Sequence, residues 1–207
     1  MSRLLRYKTG VDPKVADGHD VKPDLALTSE SPDAVTWTLK LRPDAKFHNV
    51  APVSGRAVEG ENIKATFIRA LNEPKNVNRA SLDMIDRTQI ETPDKTTVVF
   101  KLKYAYASFA HTLASPTYSW IFPREAVAGG YNPEKQVIGS GPFLFENFTP
   151  DVALTYKRNP NWFGKPQPYV DGVPSCHHHR HLGGLGAILD RPPLLNDRVP
   201  GPCRRMG

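Results

Sequence analysis

Residues 1–173 contain no cysteine; the two in the chain, Cys176 and Cys203, both fall within the closing stretch 174–207. Everything before that stretch therefore depends on packing and hydrogen bonds, with no disulfide framework. A body without cysteine suits an exported protein that avoids stray disulfides, and equally a cytosolic one. No run of 18 or more apolar residues occurs, which excludes a membrane-spanning helix. The opening "MSRLLRYKTG" lacks the long apolar core of a secretory signal, so the chain as written is expected to stay in the cytoplasm. Clustered positive charge is also missing. The net charge is +6, but residues 174–207 hold five Arg against two Asp and so account for half of it. The rest of the chain carries the other half with no stripe of Lys and Arg interleaved with aromatics, and a nucleic-acid partner is not expected.

What is present alternates with short periods. In "AVTWTLKLRP", Val35, Trp37, Leu39 and Leu41 alternate with Thr36, Thr38 and Lys40, which predicts a half-buried strand ended by Pro43. Asp33, in the "SPD" before it, marks a chain reversal. "EGENIKATFIRAL" places Ile63, Phe67, Ala70 and Leu71 on one helical face, with Glu59 and Glu61 at the end where negative charge suits the helix dipole. The helix should stop at "NEPKN", since the residue before a proline disfavours helix. "IDRTQIETPDKTTVVFKLKYA" reads as a hairpin with its turn at "TPDK", and "VVFKLK" is the natural partner of "VTWTLKL". Short helices follow in "YASFAHTLAS" and "FPREAVAGG", the second with Pro123 at its start and a glycine pair as its stop. Two strands, around Phe143–Phe145 and Val152–Tyr156, are joined by a turn at Thr149–Asp151. The segment before residue 30 reads as a short strand, "RLLRY", then a polar loop. The fold class is α+β, with mixed sheets and short helices.

Catalytic chemistry is not legible. "GSG" at 139–141 lacks the G-x-S-x-G spacing of a nucleophile elbow, and its glycines suit a tight turn. A hydrolase built on Ser140 would need a neighbouring base. His48 and His111 read as surface or hydrogen-bonded histidines, and Asp83 and Asp86 as an exposed edge. The chain is not expected to be an enzyme and no cofactor is implied.

The order of "TWTLKLRPDAKFH", "GENIKATFIRAL", "TVVFKLKYAYASFAHTLAS", "IFPREAV", "IGSGPFLFENF" and "YKRNPNWFGKPQPYVDGV" resembles the family 5 extracellular solute-binding proteins of ABC importers. Ile138–Phe143 with Tyr156–Gly164 is the most specific part, similar to the family's "IGTGPY…LERNPDYWG". The resemblance runs from about residue 4 to 173. It implies a two-lobed clamp closing on a peptide or similar small solute and presenting it to a membrane permease outside the cytoplasm. It also implies a division: residues 1–30 as a segment of the first lobe, 31–130 as an inserted subdomain, and 131–173 as the return into the first lobe. The second lobe has no counterpart here, so the chain alone is expected to bind such a solute poorly. The surface facing the cleft would come from Ser115–Trp120 and the turn at Gly139–Gly141. Tyr118 and Trp120 would offer flat apolar area, and Ser115, Ser140 and Gly141 polar contacts. Trp120 serves equally well as a core residue. Trp37 and Trp162, with Phe143, Phe145 and Tyr156, read as packing residues.

Residues 174–207 depart from everything before them. Thirteen Lys and eight Glu occur in residues 1–173 and none afterwards, while Arg, Pro, Gly and His accumulate. That shift is expected of a GC-rich gene read out of frame, and the segment is expected to be disordered. His177, His178, His179 and His181, with Cys176 and Cys203, have the donor atoms for zinc or nickel. A small metal-binding protein is therefore the alternative function. Adjacent histidines diverge on any regular backbone, and no spaced Cys or His pairs occur, so tag-like binding is expected and no residue is assigned to a metal.

Overall fold

The computed structural model describes residues 2–8, 20–117, 119–132, 136–149 and 153–176. Among these residues no helix is long and apolar enough to cross a membrane. The alternating segment forms β4 (Thr36–Leu41), at the centre of a four-stranded antiparallel sheet. Its order is β3 (Ala26–Glu30), β4, β6 (Thr97–Leu102), β5 (Ile85–Asp94). The predicted pairing is present, with Trp37 opposite Phe100 and Leu39 opposite Val98. Asp33 starts β4 by accepting hydrogen bonds at Oδ1 from the N–H groups of Val35 (2.9 Å) and Thr36 (2.7 Å), which hold its carboxyl below the usual range.

The hairpin turn differs from expectation. Pro93 lies inside β5, and the reversal comes two residues later, between Asp94 and Thr97. The Asp94 carboxylate accepts from the N–H and hydroxyl of Thr96 (2.7 and 2.8 Å) and the hydroxyl of Thr97 (2.6 Å). These local bonds outweigh the turn preference of Pro93, which the edge position of β5 tolerates.

Helix α1 (Gly60–Asn72) buries Ile63, Phe67 and Leu71 against this sheet and ends at Glu73, just before Pro74. Glycine at its first residue is a packing requirement: a Cβ on Gly60 would meet Thr92 Cγ2 at 3.0 Å and the carbonyl oxygen of Thr97 at 3.2 Å. α2 (Phe109–Ala114) and α3 (Arg124–Val127) are short, and Pro123 stands directly before α3. The core is an aromatic chain. Phe100 meets Phe67 (5.1 Å) and Phe109 (5.5 Å) edge to face, and Trp37 meets Phe109 the same way (5.5 Å).

Two smaller sheets flank it. β1 (Leu5–Tyr7) pairs with β2 (Val21–Pro23), and Leu4 and Leu5 are buried in the main core. β7 (Phe143–Thr149), β8 (Ala153–Arg158) and β9 (Gly172–Cys176) form an antiparallel sheet in that order. The predicted turn between β7 and β8 falls partly outside the described residues, but its flanks are paired, Thr149 opposite Ala153. Although the composition changes after Val173, the backbone stays in register with β8 as far as Cys176.

Candidate binding surface

Gly139–Ser140–Gly141 is held by groups from three parts of the chain. The backbone N–H of His48 donates to Gly139 O (2.7 Å), and Gly139 N–H donates to His48 Nδ1 (3.3 Å). His48 Nε2–H then donates to Gly141 O at 3.2 Å, a carbonyl that also accepts from Asn159 Nδ2 at 3.1 Å. Ser2 Oγ donates to Ser140 O at 3.0 Å. With one ring nitrogen accepting and the other donating, His48 is fixed in one neutral tautomer. Burial pushes its pKa down to about 4, only partly offset by the bond to Gly141. The residue is 2% exposed, so it is a hydrogen-bonded clamp, where the sequence alone allowed a surface residue.

Ser140 is fully buried and its hydroxyl has no hydrogen-bond partner. No base is aimed at it, because both nitrogens of His48 are committed to the backbone. The arrangement has no nucleophile–base pair for acyl chemistry. Among the described residues, no group of three or more His, Cys, Asp or Glu could hold a metal ion. The histidines of the tail and Cys203 lie outside the described residues.

The expected contact residues do not behave alike. Ser115 is buried; its carbonyl accepts from the Ser119 hydroxyl and its own hydroxyl accepts from Thr117 N–H (3.3 Å). Gly141 is buried and its carbonyl is doubly engaged. Tyr118 lies outside the described residues. Trp120 is half-buried, with the Arg3 guanidinium over its ring at 5.1 Å. Of the described residues expected to face a ligand, Trp120 is the one that presents a side chain to open space, where it meets β7 and β8.

There an apolar cavity of about 510 Å³ is lined by His48, Trp120, Val137, Phe143, Phe145 and Tyr156, among others. Phe145 and Tyr156 are directly opposed in the ladder and their rings meet edge to face at 6.3 Å. Phe143, Phe145 and Tyr156 are half-buried, not core residues as their alternation suggested. Period two shows that side chains share a face but not what covers that face. Phe143, Phe145, Phe148, Tyr156, Trp162 and Phe163 lie close together in sequence, with more aromatic area than so short a segment can bury in itself.

Comparison with known proteins places this fold among characterised relatives. The family of bacterial extracellular solute-binding proteins, family 5 Middle, matches residues 20–174. Di/tripeptide-binding protein 4 of Pseudomonas aeruginosa is 31% identical over 186 residues, covering 80% of this chain and 33% of its own length. The probable D,D-dipeptide-binding periplasmic protein DdpA of Escherichia coli is 31% identical over 169 residues, covering 78% of this chain and 30% of its own. Among solved structures, the binding protein AgaA from A. tumefacien R10, in complex with agropinic acid, superposes with a TM-score of 0.71 at 32% identity. That match covers 84% of this chain and 33% of AgaA. The chain thus spans about a third of the length of these relatives.

Proposed function

Because the chain belongs to the family 5 bacterial extracellular solute-binding proteins, we propose that it forms part of the binding component of an ABC importer for peptides or related small solutes. The observation that carries this reading is the match of residues 20–174 to the family, together with the similarity to relatives named for di/tripeptide and D,D-dipeptide binding. In this reading Trp120, with Phe143, Phe145 and Tyr156, is one wall of a clamp whose other wall comes from the part of the relatives' length that this chain does not span. Ser115, Ser140 and Gly141 act by fixing the backbone that carries Trp120 and β7. The partner is a membrane permease and the place of action lies outside the cytoplasm. The role is binding, not catalysis: the wall supplies contact area, and the buried Ser140 has no base.

A chimera tests this. Residues 20–174 replace the matching segment of the Pseudomonas relative, and di- and tripeptides are titrated by calorimetry. Saturable peptide binding that is lost on Trp120→Ala is the expected result. A chimera that folds by circular dichroism yet binds no solute bound by the unaltered relative overturns the reading. The unmodified chain of 207 residues should show no saturable peptide binding at this wall.

A further inference from the structure

Behind the apolar wall, the N-terminal residues face the stretch 162–170 across a second cavity of about 510 Å³. Trp120, Phe143, Trp162 and Pro168 supply its apolar lining, and Arg3, Arg6 and Asp24 its charges. Asp24 feels the positive charge of Arg6, Arg3 and Arg42, but the hydrogen bonding of these groups is incomplete. Asp24 is only 7% exposed, and among the described residues its carboxylate has one hydrogen bond, from Arg3 N–H at 3.0 Å. Among the described residues it has no ion-pair partner, and its pKa is raised, mainly by burial. The Arg3 guanidinium is turned away, donating to Ala114 O at 2.9 Å and lying over Trp120. Arg6 Nε is buried with no hydrogen-bond partner. Trp162 Nε1 is in the same state on a side chain 7% exposed.

A buried carboxylate that accepts from Arg3 N–H and two buried donors without partners therefore share a cavity whose other walls are apolar. Buried polar groups are ordinarily paired, and a pocket that holds a buried carboxylate beside unpaired donors suits a ligand carrying both an ammonium and a carboxylate. We propose that this cavity is a binding site for a free apolar α-amino acid in its zwitterionic form. The ammonium group meets Asp24, and the carboxylate meets Arg6 and the Trp162 indole N–H. The side chain lies on Trp120 and Phe143. The volume is within the range of small-molecule pockets. All of these groups belong to this chain, so the site needs no second lobe.

The test uses the full chain of 207 residues. L-Leucine, 4-methylpentanoate (which lacks the ammonium) and 3-methylbutylamine (which lacks the carboxylate) are titrated by calorimetry, with tryptophan fluorescence as a second readout. Saturable one-to-one binding of leucine is expected, with each analogue at least about tenfold weaker, the effect of losing one charge-assisted contact. Asp24→Asn should bring leucine down to the level of 4-methylpentanoate, and Arg6→Gln down to that of the amine. If either variant fails to fold, the analogue series on the unaltered chain decides. No saturable leucine binding, or analogues that bind as well as leucine, overturns the proposal. That failure leaves the importer reading intact, because the importer reading is tested by peptide binding to the chimera.

Discussion

The four-stranded sheet with α1 and the three-stranded sheet β7–β8–β9 have similar alternating sequences but different degrees of completion. In the first, every inward position of β4 and β6 is covered: Trp37, Leu39, Leu41, Val98, Phe100 and Leu102 are all buried. In the second, Phe143, Leu144, Phe145, Leu154 and Tyr156 are only half-buried, and Phe148 is 53% exposed. Among the described residues after 130, the contiguous core takes only Ile138 as a fully buried member, with Tyr131 and Phe163 packed against it. Alternation thus encodes a face, while the covering of that face is decided by elements elsewhere in the chain. The first sheet has its cover in α1 and α2, and the second has none among the described residues.

The sharpest way to break the comparison is to truncate one aromatic in each sheet. Phe100→Ala removes a fully buried ring that touches both Phe67 and Phe109, and should cost about 3–5 kcal/mol. Phe145→Ala removes a half-buried ring beside an open cavity, and should cost about 1 kcal/mol or less. Chemical denaturation midpoints measure both. Equal costs would mean that the second sheet is covered after all.

The junction between the two regions gives the next effect. His48 ties the loop after β4 to the Gly139–Gly141 turn that leads into β7. Its pKa of about 4 in the folded chain lies below the ordinary value near 6.5, so between these pH values the unfolded chain binds more protons. The stability His48 contributes is complete above pH 6.5 and is lost as pH falls towards 4. The loss is on the order of 3 kcal/mol for a shift of this size. Asp24 acts in the opposite sense, since its raised pKa favours the folded state as pH falls into the carboxylate range. Denaturation at pH 4.5 and 7.5 should show the loss, and His48→Gln should flatten it. An unchanged pH dependence in that variant would rule out His48 as its source.

The different legibility of the two regions has the same cause. β4, α1, β6 and the β4–β6 pairing were readable because their periodic faces meet each other within the single stretch Thr36 to Leu102. β2 and β3 were not, since "VKPDLALTSE" has little alternation and is held by neighbours, Leu25 and Ala26 donating to the carbonyls of Arg3 and Leu4. The turn after Asp94 was misplaced by two residues because side-chain hydrogen bonds override the usual preference of proline. In the candidate site, Trp120 and the Gly139–Gly141 turn were found through family resemblance. The roles of His48 and Asn159 were not, because they depend on contacts between residues 93 and 18 positions apart, which no local pattern records.

The smallest effects should come from the ion pairs, and here too the regions should differ. In the first, Arg56 Nη2 reaches both oxygens of Glu125 (2.9 and 2.8 Å), and each side chain is 24% exposed. Arg56 also lies 5.7 Å over Phe47 and donates to Asn62 Oδ1 at 3.3 Å, so its position is fixed before the pair forms. In the second, Arg158 Nη2 meets Asp171 Oδ1 at 2.9 Å, with the two side chains 48% and 91% exposed. Water screens that pair, and ordering two mobile side chains costs as much entropy as the contact returns. A double-mutant cycle on Arg56 and Glu125 should give a coupling of about 1–2 kcal/mol, and one on Arg158 and Asp171 less than about 0.5 kcal/mol. The backbone bond from Arg158 N–H to Asp171 O, at 2.7 Å, survives both side-chain truncations. It keeps β8 joined to the approach to β9, so a coupling near zero there would report the side chains alone. A coupling as large as that of Arg56 and Glu125 would mean that the second region is shielded from solvent, which the exposure of Asp171 opposes.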